Sequence, residues 1–241
     1  MSPPRLVILC AHTARSVAYL QGLAAAGIQP ESVIVYGAGG GPLQTTRDLQ
    51  VRRLPGLFCP DLSQDLDACL NALQWPHEVC AAQALDDAEL LACVERQAPD
   101  LLVYSGYGGQ LVPPALLRRQ PVLHIHSGWL PDYRGSTTLY YQVLEQRQCA
   151  ASALLLDEQI DTGPVVARQQ YPLPPAGMDI DYLYDNAIRA DLLVRVLARW
   201  RHDPGTLQAL PAEAEQPPYF IIHPLLKHLA LLAVDRAEET P

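Results

Sequence analysis

The stretch that decides the fold is residues 122–166, which read VLHIHSGWLPDYRGSTTLYYQVLEQRQCAASALLLDEQIDTGPVV. It begins with an apolar run in which His124 and His126 are two residues apart, so both point to the same face of a predicted strand. A loop follows, and a second apolar run then leads to Asp161 in an Asp-Thr-Gly-Pro sequence. A base, a polar partner and a carboxylate at strand ends are typical of a site that moves protons.

Apolar runs and amphipathic segments alternate along the rest of the chain. Buried strands are predicted at 5–10, 32–36, 101–104 and 122–126. Helices are predicted at 14–26, 61–73, 86–97, 113–118 and 180–200. Because strands that alternate with helices form parallel sheets, the pattern predicts an α/β fold with a doubly wound, mostly parallel sheet. The runs 152–156 and 165–170 are separated by a short turn region, which predicts an antiparallel hairpin at the sheet edge.

The domain organisation follows from where the periodic pattern weakens. Residues 1–205 are predicted to form one catalytic domain, since the pattern fades after Pro204-Gly205. Residues 206–241 are predicted to be an appendage, and its apolar part, 219–234, is expected to pack back onto the domain. No apolar run is long enough to predict a membrane span.

Composition limits the classes of partner. The chain has 241 residues, 49% of them hydrophobic, and a net charge of −9. An acidic chain repels phosphate backbones, so neither nucleic acid nor membrane is expected as a partner. Two small basic clusters are predicted to be solvated surface: Arg47, Arg52 and Arg53, and Arg118 and Arg119. The six cysteines form no CxxC and no signal peptide is predicted, which favours free thiols in the cytoplasm. A homodimer stays open.

Two glycine-rich stretches could hold a ligand. Residues 37–41 follow the second predicted strand and run into Pro42, whereas a dinucleotide fingerprint opens a helix directly after the first strand, so a turn is predicted. Residues 105–113 follow the strand at 101–104. Loops at this end of parallel strands line ligand crevices, and their backbone amides can hydrogen-bond a flat heterocycle. An ordinary strand-to-helix turn is the alternative.

The histidine pair and the acids have several interpretations. His124 and His126 could form half of a metal site, a catalytic pair or packed core histidines, and the Gly/Pro/Arg loop that follows them favours a function. Asp157, Glu158 and Asp161 lie in a turn, where acids are common. Asp161 is more distinctive, because the nearby glycine allows the backbone to fix its carboxylate in one pose.

Three segments together resemble the folate-dependent formyltransferase family, which includes methionyl-tRNA and glycinamide ribonucleotide formyltransferases. Residues 124–135, HIHSGWLPDYRG, resemble the family's Asn-x-His-Pro-Ser-Leu-Leu-Pro-x-Tyr-Arg-Gly. Residues 157–165, DEQIDTGPV, are similar to its Asp-x-Gly-x-Asp-Thr-Gly-Pro-Ile. Residues 106–113, GYGGQLVP, are similar to its donor loop, Ala-Tyr-Gly-x-x-Leu-Pro. The order and spacing agree over residues 98–170.

The resemblance implies a formyltransferase-like fold and an enzyme that transfers a formyl group from 10-formyltetrahydrofolate to the amine of a small molecule, such as an amino sugar nucleotide or a natural-product precursor. His126 would be the catalytic histidine and Asp161 its carboxylate partner, which raises the histidine pKa and helps to remove the amine proton. The implied cosubstrate-binding residues are Gly106, Tyr107, Gly108, Gly109, Leu111 and Asp157. The implied substrate-binding residues are Arg134, Gly135 and Ser136.

His124 departs from the family pattern, because it stands where the family has an asparagine that donates a hydrogen bond to the oxyanion. Imidazole can donate the same bond, but it titrates and could share a proton with His126. A formyl-folate hydrolase, another divergent reaction, and an inactive folate- or small-molecule-binding protein therefore stay open. His124, His126 and Asp161 also match a two-histidine, one-carboxylate metal set, but the resemblance is to a metal-free family, so no metal is expected.

Two further departures concern the acceptor. Methionyl-tRNA formyltransferases carry an additional tRNA-binding domain, for which this sequence has no length. The first strand-to-helix loop, residues 11–14, reads Ala-His-Thr-Ala and lacks the Gly-Asn-x-Ser phosphate loop of the purine-ribonucleotide enzymes. Both departures favour an acceptor that is neither a tRNA nor a purine ribonucleotide precursor.

Overall fold

The computed structural model describes residues 4–39, 54, 56–214 and 216–236. The basic cluster of Arg47, Arg52 and Arg53 and residues 40–41 of the first glycine-rich stretch lie outside the described residues. The second basic cluster is at the surface, where Arg119 forms an exposed ion pair with Glu95.

The described residues form a seven-stranded sheet. Its strands are β1 Leu6–Ala11, β2 Ser32–Tyr36, β3 His77–Val79, β4 Leu101–Ser105, β5 Val122–Ser127, β6 Cys149–Leu155 and β7 Val165–Tyr171. Their order is β3-β2-β1-β4-β5-β6-β7. The strands from β3 to β5 are parallel, while β6 runs antiparallel to β5 and β7 antiparallel to β6. The predicted doubly wound, mostly parallel sheet and its antiparallel edge hairpin are confirmed.

Helices cover both faces of the sheet. They are α1 Ala14–Ala25, α2 Leu66–Leu73, α3 Ala88–Gln97, α4 Pro114–Leu117, α5 Thr138–Gln146, a π-helical turn Ile180–Tyr184, α6 Asp185–His202, a 3₁₀ turn Pro204–Thr206 and α7 Pro224–Asp235. Helix α2 begins later than predicted, because the Asp65 side chain caps it by accepting the Ala68 N–H (2.7 Å). The short strand β3 and the helices α5 and α7 were not predicted.

The core lies in two layers, one on each face of the sheet. Strand β1 shows the division, since Leu6, Ile8 and Cys10 pack on the face covered by α1 and α6. Its alternate residues, including Val7 and Leu9, pack on the face covered by α3 and α4. A strand buried on both faces has a continuous apolar sequence, which is why these strands were predicted well from their apolar runs.

The strand order reverses between β1 and β4. In open α/β sheets this reversal opens a crevice at the carboxyl ends of the strands, because neighbouring connections leave in opposite directions. The loops after β1, β4 and β5 meet at this edge. The fold therefore brings the second glycine-rich loop and the histidine strand to one place.

The C-terminal segment, as far as residue 236, packs against the loop after β5 and against α5. An extended segment crosses the loop after β5, where Tyr219 forms a parallel bridge with Gly135, and α7 then packs on α5. The proposed division at residue 205 stays a prediction. Among the described residues, no helix is both long enough and apolar enough to cross a membrane.

Candidate active site

His126 lies at the carboxyl end of β5, where its side chain is 5% exposed. Its Nε2 atom lies 2.7 Å from the Tyr133 carbonyl oxygen and 3.2 Å from the Thr138 hydroxyl. Its Nδ1 atom lies 3.4 Å from Asp161 Oδ2. The structure thus brings together the two residues that the sequence predicted as the catalytic pair.

The partners of His126 define where its protons lie. A carbonyl can only accept, so the neutral ring carries its proton on Nε2, towards Tyr133, while Nδ1 faces the Asp161 carboxylate. Burial lowers the pKa of His126, and the Asp161 carboxylate opposes this shift. The carboxylate therefore favours the protonated form of the ring when Nδ1 takes up a proton.

Asp161 is held in place by its own turn. Its backbone is in the left-handed region (φ +52°), and its Oδ2 atom accepts the Gly135 N–H (3.2 Å). Within the turn, the Thr162 hydroxyl donates to the Asp157 carboxylate (2.7 Å). A side chain at Gly163 would meet the Leu155 carbonyl oxygen at 1.9 Å, so only glycine allows this close approach. The turn chemistry thus fixes the pose of Asp161.

His124 lies two residues before His126, and its Nδ1 atom is 3.4 Å from the Tyr104 carbonyl oxygen. Burial, together with the Arg15 and Arg189 guanidinium groups, lowers the pKa of His124 well below its ordinary value. The imidazole is therefore neutral near pH 7. Because the carbonyl can only accept, the neutral ring carries its proton on Nδ1, and Nε2 is left as an acceptor.

Two arginines that the sequence did not single out lie behind the histidines. Arg189 on α6 donates to the Ile125 carbonyl (2.6 Å) and pairs with Asp185 (2.8 Å). Arg15, on the first turn of α1, donates to the Gly106 carbonyl. The i,i+4 spacing of Asp185 and Arg189 could have predicted their ion pair, but nothing local in the sequence indicates a contact with β5.

The predicted donor-loop residues lie at the carboxyl end of β4. The Tyr107 hydroxyl donates to the Ala38 carbonyl (3.1 Å), and its ring packs edge-on against Tyr36 (5.9 Å). Gly108 and Gly109 have open space where a side chain would be, and Leu111 is 57% exposed. The loop therefore presents backbone and an apolar side chain to solvent, beside Tyr104 and His124.

The described residues contain no group of three or more His, Cys, Asp and Glu side chains arranged to hold a metal ion. His124, His126 and Asp161 form no such group there.

A sequence model of the family described as formyl transferase matches residues 61–194. This range covers more than half of the chain and includes the donor loop, both histidines and Asp161. The chain belongs to the formyl transferase family.

A methionyl-tRNA formyltransferase from Synechococcus sp. (strain JA-3-3Ab) is 30% identical to this chain over 145 residues, which are 58% of this chain and 43% of that protein. The matched region thus spans less than half of that relative's length. Among solved structures, a sugar N-formyltransferase from Shewanella sp. FDAARGOS_354 has a TM-score of 0.57 at 15% identity, over 95% of this chain and 87% of that one.

A formyltetrahydrofolate deformylase from Pseudomonas syringae pv. tomato str. DC3000 also resembles the chain, with a TM-score of 0.57 at 17% identity, over 84% of this chain and 62% of that one. At these identities the two solved structures show a shared fold.

The predicted substrate-binding residues of the chain pair with the C-terminal segment. Tyr219 N–H donates to the Arg134 carbonyl (2.7 Å), and Ser136 N–H donates to the Tyr219 carbonyl (3.0 Å). Gly135 has φ +106°, and a side chain there would meet the Tyr219 carbonyl oxygen at 2.4 Å. Whether Arg134, Gly135 and Ser136 also bind substrate stays a prediction.

This pairing suggests that the appendage holds the loop of residues 133–138 in place. Residues 133–138 supply the Tyr133 carbonyl, the Gly135 N–H and the Thr138 hydroxyl to the His126–Asp161 pair. Residues 219–222 lie against this loop, and Ile222 N–H donates to the Thr137 hydroxyl (2.8 Å). The C-terminal segment is therefore joined to the site by backbone hydrogen bonds.

We expect Tyr219→Pro to increase the mobility of the loop of residues 133–138. Proline has no N–H to donate to the Arg134 carbonyl, so the bridge loses a hydrogen bond worth about 1 kcal/mol. Hydrogen exchange of the Ser136 amide, followed by mass spectrometry, should become about fivefold faster. Tyr219→Phe is the control, because it removes only the hydroxyl and keeps the backbone bonds. Equal exchange in the proline variant and the native protein would contradict this role.

We expect His124→Asn to weaken the dependence of stability on pH. The folded-state pKa of His124 is lowered, so below its ordinary value of 6.5 the unfolded chain binds a proton that the folded chain does not. The stability of the native protein therefore falls as pH decreases below that value, by at most about 1.4 kcal/mol per pH unit for this group. Asparagine does not titrate there.

Urea unfolding at several pH values from 7.5 downwards tests this expectation. The free-energy difference between native protein and His124→Asn should shrink or change sign as the pH falls. Two parallel curves over that range would mean that His124 is not held neutral in the folded protein.

Proposed function

We propose that the protein transfers a formyl group from 10-formyltetrahydrofolate to the amine of a small molecule. The observation that carries the proposal is the buried His126–Asp161 pair, held at the end of β5 beside the loop after β4. Membership of the formyl transferase family supports it. The likeness to a sugar N-formyltransferase supports an amino sugar or a related amine as the acceptor.

The loop after β4 suits the folate. Gly108 and Gly109 leave open space next to the backbone, so amide and carbonyl groups there can reach a flat heterocycle, and exposed Leu111 offers apolar contact. We assign Gly106, Tyr107, Gly108, Gly109 and Leu111 to this role. Asp157 acts mainly through the turn, because its carboxylate is bonded to the Thr162 hydroxyl.

His126 stabilises the charge that develops when the amine attacks the formyl carbon. The carbonyl oxygen becomes an oxyanion, to which the Nε2 proton of His126 can be donated in exchange for its bond to Tyr133. The Asp161 carboxylate stabilises a protonated imidazole through Nδ1. No covalent bond between enzyme and substrate is required.

His124 accepts the proton that the attacking amine loses. Its Nδ1–H donates to the Tyr104 carbonyl, so its Nε2 atom has a lone pair, and it cannot supply the hydrogen bond expected from the family's asparagine while this tautomer persists. The same proton is then returned to the nitrogen of tetrahydrofolate as the carbon–nitrogen bond breaks.

Hydrolysis of the formyl-folate is the second candidate. A neutral His124 can accept a proton from water as well as from an amine, and the likeness to a formyltetrahydrofolate deformylase supports this alternative. Formate release in the absence of any amine would favour hydrolysis. Folate binding without turnover would favour the inactive binding protein.

We expect no tRNA acceptor, because the net charge of −9 disfavours binding to a phosphate backbone. The proposed steps require no metal.

We expect His126→Ala and Asp161→Asn each to reduce kcat by about 10² to 10⁴, since each removes a positioned proton donor or its partner. Release of tetrahydrofolate measures the rate, and circular dichroism checks that both variants fold. Glu158→Gln is a matched control, because it removes a carboxylate from the exposed part of the same turn. Turnover close to that of the native protein in both site variants would contradict the assignment of His126 and Asp161 as catalytic residues.

We expect His124→Asn to reduce kcat by about 10² while the protein still binds folate, because asparagine can donate a hydrogen bond but cannot accept the amine proton. Turnover and folate affinity are measured separately. Retention of most of the activity would show instead that position 124 acts as a hydrogen-bond donor, as the family's asparagine does.

A further inference from the structure

The last helix, α7, is apolar on its outer side as well as on its inner side. The inner side packs on α5, and Ala230 and Val234 are buried there. The outer side presents Leu225, Leu226 and Leu229, which are exposed. A surface helix normally has a polar outer side, whereas a helix that is apolar all round is usually buried all round. The outer side of α7 is therefore expected to be covered in the working protein.

The residues just before α7 enlarge this surface. Phe220 and Ile221 are 84% and 77% exposed. Of the ten large apolar residues that are exposed in the part of the chain that the structure describes, five lie within residues 220–229. We call these five the α7 patch: Phe220, Ile221, Leu225, Leu226 and Leu229.

The size of the α7 patch is that of an interface. From their exposed fractions, its five residues present roughly 600 Å² of surface, the upper end of the range for the largest apolar patch on a typical monomer. A standard interface buries about 800 Å² on each partner. The α7 patch can therefore supply most of one side of a stable interface.

The charges of the chain favour a second copy as the partner. The chain has a net charge of −9 and 26 acidic residues, but residues 217–234 contain no Asp or Glu. Two copies that meet through this stretch bring no carboxylates of the stretch together, whereas most other surfaces would repel. A nucleic acid or an anionic membrane is disfavoured by the net charge. Homodimer interfaces are also more apolar than other interfaces and use the same patch on both copies.

We propose that the α7 patch is the interface through which two copies of this chain form a symmetric dimer. This inference goes beyond the proposed function, and its tests need no turnover.

The dimer also holds the loop of residues 133–138 more firmly. Phe220 and Ile221 lie between two residues whose backbone N–H groups bind this loop, since Tyr219 donates to the Arg134 carbonyl (2.7 Å) and Ile222 to the Thr137 hydroxyl (2.8 Å). When a second copy covers the side chains between these two contacts, the whole segment is confined against the loop. Dimer formation is thereby linked to the loop that contacts His126 and Asp161.

Sedimentation equilibrium of the full chain tests the dimer. The native protein should show twice the mass of the chain, with a dissociation constant of about 10⁻⁶ M or lower, which is the range of interfaces of this size. A monomer at every concentration up to about 10⁻⁴ M would overturn the proposal, because the α7 patch would then be left uncovered or be covered within the chain.

Leu229→Glu places a carboxylate in the α7 patch. The dissociation constant should rise at least about 100-fold, since the dimer would bury this charge without a partner. Because Leu229 is exposed in the single chain, the variant should fold, which circular dichroism checks. Phe220→Glu, at the most exposed position of the patch, is a second variant with the same expected result.

Val79→Glu is the matched control for these variants. Val79 is 67% exposed on β3, at the far edge of the sheet, so the substitution adds the same charge away from the α7 patch. The control should dimerise like the native protein. A dimer that withstands both patch variants, or that is lost equally in Val79→Glu, would overturn the proposed interface.

Hydrogen exchange tests the link to the loop. The Ser136 amide should exchange about fivefold more slowly in the native dimer than in the Leu229→Glu monomer, as expected when one hydrogen bond is stabilised by about its own net value. Equal exchange rates would overturn the link. Cosedimentation of a monomeric native protein with phosphatidylcholine vesicles would identify a lipid surface as the partner and overturn the dimer.

Discussion

The Asp161 carboxylate lies 3.4 Å from His126 Nδ1 and 3.2 Å from the Gly135 nitrogen, so one side chain joins the turn after β6, the end of β5 and the loop that follows it. Each contact depends on the others. The turn can hold Asp161 at φ +52° because Gly163 approaches the Leu155 carbonyl, and the loop can present the Gly135 N–H because Tyr219 pairs with its neighbours. A change in the position of any of these segments is therefore transmitted to His126 through the Asp161 carboxylate.

The buried charges behind β5 explain how a histidine can replace the family's asparagine. Burial, and after it the charges of Arg15 and Arg189, lower the pKa of His124, so the imidazole stays neutral, as an asparagine amide would be. Arg189 is compensated by Asp185 and by the Ile125 carbonyl, which keeps a buried guanidinium from being left without partners. The substitution thus adds no charge to the site. It changes the basicity instead, because an asparagine amide does not take up a proton near neutral pH, whereas the Nε2 lone pair of a neutral imidazole can.

The sheet and the pairing of His126 with Asp161 could be predicted from the sequence, because both depend on local patterns. Apolar runs predicted β1, β2, β4 and β5, and the spacing of His126 and Asp161 within known motifs predicted their meeting. Contacts between residues that are far apart in the sequence could not be predicted in this way. Arg189 binds the carbonyl of a residue 64 positions earlier, and Tyr219 pairs with Arg134 across the loop after β5. Such contacts depend on how whole helices and strands pack, and this packing cannot be inferred from a short stretch of sequence. Helix α5 was missed because its neighbouring motif was interpreted as a loop.

The two sides of His126 are built from different parts of the chain. One side consists of strand ends and turns within residues 104–163, where the family motifs lie. The other side draws Asp181 from the π-helical turn, Asp185 and Arg189 from α6, and Lys227 from α7, and none of these belongs to a motif. Reaction chemistry needs fixed geometry, which strand ends and hydrogen-bonded turns provide. Under the proposed function, the residues on these helices would decide which amine fits. This separation is consistent with relatives whose names record acceptors as different as a tRNA and a sugar.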